Sequence, residues 1–147
     1  PCAFGGTPIS RWQKGADLYQ NAVERARTAM KDGTLKGILW HQGETDSGNA
    51  TVAPKYGDLL TQLVTDLRSD LDAGDVPFVA GQLGRFLNRG QKDKPSLWPV
   101  INEQLDALPM KLKRSATVSS EGLNHKGDVL HFDSPSFREF GKRYAAA

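Results

Sequence analysis

Four stretches of the chain repeat apolar residues at helical spacing, and shorter apolar runs lie between them. Leu18, Ala22, Val23, Ala26 and Ala29-Met30 recur at that spacing, so Asp17 to about Lys31 reads as an amphipathic helix closed by Gly33. Tyr56, Leu59, Leu60, Leu63, Val64, Leu67 and Leu71 form a stronger stripe ending at Gly74. A third helix is predicted from near Pro95-Ser96 through Leu97, Val100, Ile101, Leu105 and Leu108. The last starts at Ser134 or Ser136 and carries Phe137, Phe140 and Tyr144, with basic residues toward its C-terminus. Gly37–His41 and Val76–Gly84 are short apolar runs bounded by turn residues, and Ser115–Ser120 is β-prone; each reads as a strand. The opening PCAFGGTPISRW reads as the end of a strand entering a Gly-Gly loop, and Arg85 to Lys94 as a polar loop.

Strands separated by single helices predict a parallel sheet with helices on both faces, and such sheets bind ligands beyond the carboxyl ends of their strands. The polar string His41, Gln42, Glu44 and Asp46 follows directly on the apolar Gly37–Trp40. Gly5-Gly6 and Gln82-Leu83-Gly84 hold the same place after the first and third apolar runs. Three strand ends therefore aim polar or glycine-rich loops at one edge.

Composition narrows the partners. A chain of 147 residues is one domain's worth, and no internal repeat, low-complexity tract or linker divides it. A formal charge of +2 is too small to argue for nucleic acid, and Lys111, Lys113 and Arg114 read as a solvated helix end. No apolar run approaches the roughly 20 residues of a membrane span, so no membrane partner is expected, and no signal peptide is visible. The single cysteine, Cys2, excludes an internal disulfide and leaves the compartment open.

Chemistry concentrates in GDVLHFD, residues 127 to 133. Asp128 and His131 are spaced so that, on a tight turn, the carboxylate can receive the imidazole Nδ1 hydrogen and fix its tautomer. Alone, this spacing more often describes a solvated capping turn. Gln42 can donate hydrogen bonds without a competing charge, or it can brace its own loop. Glu44 reads as a brace for Gln42 or a neighbouring backbone, in preference to a ligand for substrate hydroxyls. His41 with Glu44 lacks a third ligand, so no metal is expected. Of the indoles, Trp40 reads as core, whereas Trp12 beside Arg11 is the pocket candidate.

PCAFGGTPISRW, GILWHQGETD and GDVLHFDSPSFREFGKRYA, in that order, resemble the SGNH-hydrolase superfamily, and more narrowly its carbohydrate-esterase branch of acetylxylan and sialate O-acetyl esterases. The resemblance runs from residue 1 to about 145. It implies a flavodoxin-like three-layer α/β/α fold and serine-dependent deacetylation of acetylated carbohydrates without a cofactor. It makes His131 the general base, Asp128 its orienting acid, and Gln42, Gly5 and Gly6 contributors to the oxyanion hole.

The departure from that pattern is the nucleophile. The family's serine lies in a Gly-Gln-Ser-like motif after the first strand, and this chain has no such motif. Ser10, Ser47, Ser96, Ser119, Ser120, Ser134 and Ser136 all lack a glycine-flanked elbow. The expectation is that residues 1–147 are the C-terminal portion of a single esterase domain missing its amino-terminal strand, with a companion N-terminal segment supplying the serine. The alternatives are an inactive sugar-binding remnant and a nucleotide- or effector-binding domain. The latter is disfavoured by the absence of Gly-x-Gly-x-x-Gly and of a P-loop.

Overall fold

Three parallel strands in the order β1 (Ile38–Trp40), β2 (Phe78–Gly81) and β3 (Ser115–Val118) organise the chain. A computed structural model describes residues 2–88 and 96–147; Pro95 and residues 89–94 of the predicted polar loop lie outside the described residues. The pairings Ile38 with Phe78 and Trp40 with Ala80 turn these side chains to one face, and Leu39, Val79, Gly81 and Val118 to the other.

The first face is covered by α1 (Asp17–Ala29), α2 (Tyr56–Asp70) and α3 (Trp98–Asp106). Leu60, Leu63 and Val64 of α2 and Ile101 and Leu105 of α3 are fully buried with Phe78 and Ala80. Each such aliphatic side chain contributes about 1.5–3 kcal/mol relative to exposure. The stripe predicted for α2 is thus the main buried face of the domain. The second face is covered by α5 (Ser134–Ala146), whose Phe140 packs with Val118, Leu123 and Phe132. Helices on both sides of a parallel sheet make this an α/β fold.

Two expectations are corrected. The predicted third helix breaks into α3 and the short α4 (Leu108–Lys111). Pro109 has no N–H to give the Leu105 carbonyl, which instead accepts the Thr117 hydroxyl at 2.6 Å. The strand end predicted at the amino terminus is absent from the described residues. Phe4 is 60% exposed, Gly5-Gly6 form a turn with Gly6 at φ +70°, and Ile9–Trp12 is a short 3₁₀ turn. Extended backbone needs a partner for its hydrogen bonds, and no described segment supplies one there. Among the described residues β1 pairs on one side only, and Leu39 is 68% exposed.

Opposite edges of the sheet are tied differently. At the amino ends, the buried Arg68 guanidinium donates to the carbonyls of Val76, Lys113 and Arg114 at 2.8–3.1 Å, joining the approaches to β2 and β3. Toward the carboxyl ends, the Tyr144 hydroxyl of α5 donates to Trp40 O at 2.6 Å. That helix rests directly on Gly81, where a Cβ would stand 2.2 Å from Tyr144 Oη and 2.7 Å from Phe140 Cζ. Gly81→Ala should therefore destabilise the domain by about 1–3 kcal/mol through overpacking. Urea unfolding measures this, and an unchanged midpoint would show that α5 can shift freely.

Candidate functional site

At the carboxyl end of β1, backbone and side chains close into a buried polar knot. Gln42 Nε2 donates to Thr7 O at 2.8 Å and to Asp46 Oδ2 at 2.7 Å. The same Asp46 oxygen accepts the Ile9 N–H at 2.9 Å. The Tyr56 hydroxyl lies 2.6 Å from Gln42 O and 3.0 Å from Gln42 Oε1, its one hydrogen serving the shorter contact, and it accepts from Trp40 Nε1 at 3.1 Å. Burial raises the Asp46 carboxyl and pushes the Tyr56 hydroxyl well above its ordinary value. Gly43 follows at φ +136°, and a Cβ there would stand 3.3–3.4 Å from Ile101, Leu83 and Tyr56, so glycine is demanded by backbone and packing alike.

Beyond β3 the chain folds into a small exposed loop before α5. Asp133 N donates to Asn124 O at 3.0 Å and Lys126 N to His131 O at 2.9 Å, pairing the two arms of the loop around residues 127–130. Asp128 Oδ1 accepts the backbone N–H of Leu130 at 3.0 Å and of His131 at 2.8 Å. Its Oδ2 lies 2.6 Å from His131 Nδ1. The ring hydrogen bond, reinforced by these N–H groups, holds the Asp128 carboxyl far below the usual carboxylate range. An ionised carboxylate only accepts, so Nδ1 carries the hydrogen and Nε2 of the neutral ring offers a lone pair. The turn between the pair is strained: Val129 sits at φ +50°, where a β-branched residue costs about 1–3 kcal/mol. The Val129 N–H is 3.3 Å from His125 Nδ1, which also accepts from Gly127 N at 2.9 Å, and Asn88 N donates to Val129 O at 3.1 Å.

The structure sorts the residues singled out from sequence. Asp128 and His131 form the expected pair. Gly5 and Gly6 lie exposed with open space around their α-carbons, and no described group accepts their N–H. Gln42 is nearly buried, with both amide hydrogens directed at Thr7 and Asp46, which is the bracing alternative. Trp12, the pocket candidate, is 7% exposed, meets Trp40 edge-on at 5.4 Å and donates to Thr7 Oγ1, the arrangement of a brace and not of an open pocket wall. Arg11 is paired with Asp17 at the start of α1. Glu44 stands 3.4 Å from His41 Nε2, and the His41 ring contacts Phe132 at 5.8 Å and Phe140 at 5.5 Å, bringing the β1 end against the neighbour of His131.

A family profile described as carbohydrate esterase, sialic acid-specific acetylesterase (SASA), matches residues 1–147. The chain belongs to this carbohydrate esterase family. A probable carbohydrate esterase of Arabidopsis thaliana is 34% identical over 148 residues, covering all of this chain and 53% of that protein. The chain thus spans about half the length of the curated relative it matches. The X-ray structure of the Arabidopsis protein superposes with a TM-score of 0.87 at 30% identity, over 99% of this chain and 59% of that one. A carbohydrate acetylesterase of Xanthomonas citri shares the fold at a TM-score of 0.71 and 22% identity, over 96% of this chain and 34% of that one. The SGNH-type carbohydrate-esterase resemblance read from the motifs fits this family and this fold.

Sequence reasoning gave no role to Asp46, Tyr56 or His125. Asp46 stands four residues after Gln42 in a polar string, and Tyr56 is the polar-tipped member of an apolar stripe; each offered only that faint signal. Asp46→Ala would strand the Gln42 amide and the Ile9 N–H, and should cost about 1–3 kcal/mol for each donor left unsatisfied. Asp46→Asn, which keeps an oxygen for both donors, should be much milder. Because burial raises the Asp46 carboxyl in the folded state, the wild type should gain stability relative to Asp46→Asn as pH falls through that raised value toward 3.8. Urea denaturation across this range tests the sign; a pH-independent difference would show that burial does not perturb Asp46.

Proposed function

We propose that this chain carries the acid–base part of a serine-type carbohydrate O-acetyl esterase whose nucleophilic serine lies on a segment outside residues 1–147. The observation that carries the reading is the Asp128 Oδ2 to His131 Nδ1 contact of 2.6 Å on an exposed turn, in a chain of a carbohydrate esterase family. His131 Nε2 takes the serine proton as the hydroxyl attacks the acetyl carbonyl, and then returns it to the departing sugar oxygen. Water repeats the sequence and releases acetate. Asp128 keeps the imidazole in its tautomer and stabilises the imidazolium. Since Asp128 stays ionised far below the usual range, its protonation does not set the acid limb of activity.

The N–H groups of Gly5 and Gly6 are the oxyanion donors in this scheme. Gln42 acts by holding their loop through Thr7 O, and Glu44 sits beside it as a brace or hydroxyl ligand. An external nucleophile is supported by the serine inventory. Ser136 Oγ accepts from Asn124 N while its N–H donates to Asp133, the N-cap of α5, Ser120 donates to Leu83 O, and Ser47 donates to Glu44 O. No described serine is hydrogen-bonded to the His131 ring. The sugar-binding remnant is disfavoured because Trp12, its aromatic platform, is buried.

In the full-length protein, His131→Ala should lower p-nitrophenyl acetate hydrolysis by roughly three orders of magnitude or more, and Asp128→Asn should retain the fold with weakened activity. Residues 1–147 alone should show no efficient turnover. Near-normal turnover by His131→Ala would remove it from the mechanism.

A further inference from the structure

We propose that His125 is a positioning residue for the Asp128–His131 pair, acting through the Nδ1 lone pair of a neutral ring. The inference rests on the reading of Asp128 and His131 as the esterase dyad and goes one step behind it. His125 Nδ1 accepts from two backbone groups, Gly127 N at 2.9 Å and Val129 N at 3.3 Å. A nitrogen facing two N–H donors cannot itself carry hydrogen, so the ring proton sits on Nε2, opposite to the tautomer of His131.

These two N–H groups flank Asp128 on either side. Gly127 and Val129 both have positive φ, +112° and +50°, so each donor belongs to a residue in an unusual conformation. Val129 is the harder case, because its branched Cβ disfavours that region. The acceptor that holds its N–H therefore selects the turn in which Asp128 Oδ2 meets His131 Nδ1. His125 is itself fixed by ring contact with Phe86 at 5.2 Å and by bridging to Phe132, the residue after His131. The lone pair thus connects a packed aromatic wall to an exposed, strained turn. His125 touches neither substrate nor reacting atoms in this account; it sets the geometry of groups that do.

Two substitutions separate the lone pair from the ring. His125→Phe keeps an aromatic face toward Phe86 but has no acceptor, whereas His125→Asn places Oδ1 about where Nδ1 stood. In the full-length esterase, His125→Phe should lower kcat by about 10²-fold with KM changed less than about 2-fold, while His125→Asn stays within about 3-fold of wild type. A second readout needs no turnover: ¹⁵N spectra of the His131 ring above its titration range. Wild type and His125→Asn should show a single Nδ1-protonated tautomer, and His125→Phe a mixture. Failure of the dyad reading itself would appear as equal turnover by wild type and His131→Ala, and the His131 ring spectrum would then decide the role of His125 alone. A His131 tautomer unaffected by His125→Phe, or a His125→Asn variant as impaired as His125→Phe, would overturn the proposal.

Discussion

The architecture of the carboxyl edge depends on one buried carboxylate oxygen. Asp46 Oδ2 receives both the Gln42 amide and the Ile9 N–H, and so joins the amino-terminal loop to the end of β1. Thr7 O and Tyr56 extend the junction to either side, the latter reaching the Trp40 indole. Among the described residues Gly5 and Gly6 have no comparable tie of their own. Their position follows from the hydrogen-bond network at Thr7 and Ile9 just downstream, where each member satisfies a neighbour that burial would otherwise leave unpaired. Among the described residues no buried side-chain polar atom lacks a partner.

The two halves of the candidate site are built on opposite principles. The loop after β1 is dense, buried and fixed by packing, with Gly43 pressed against Ile101, Leu83 and Tyr56. The loop before α5 is exposed, and its shape is held by lone pairs of Asp128 and His125 aimed at backbone N–H groups. Its attachment comes from Leu130, which packs against the main core, and from Phe132 between Phe86 and Phe140. Under the proposed esterase reading, an exposed imidazole on a firmly rooted turn meets a solvent-borne ester while keeping its tautomer. A buried one would be sterically closed to a sugar.

Much of this was legible because periodicity reports burial. The α2 stripe from Tyr56 to Leu67 and the apolar β1 run are statements about which faces avoid water, and packing honours them. The Asp128–His131 spacing was legible because its contact is local. What escaped was long-range. Nothing near Gln42 in sequence says that Thr7 O will take its amide, so its brace could not be distinguished from an oxyanion donor. Trp12 looked available beside a glycine loop because its partner Trp40 lies 28 positions away in sequence (40 − 12). The opening apolar run looked extended because local composition cannot reveal that no strand among the described residues pairs with it. Pro109 did announce the break after α3, but the hydrophobic register through Leu108 masked it.

The contact of α5 with β2 has a consequence for how sequences of this family can diverge. Gly81, Phe140 and Tyr144 occupy one volume, since any side chain at 81 would enter the space of both rings. The Tyr144 hydroxyl also serves the Trp40 carbonyl, so replacing the ring removes a donor as well as bulk. These positions are therefore a single unit of inheritance. Relatives that enlarge residue 81 should carry smaller residues at 140 or 144, and that compensated change should be visible as covariation between a strand and a helix separated by more than half a hundred residues of chain.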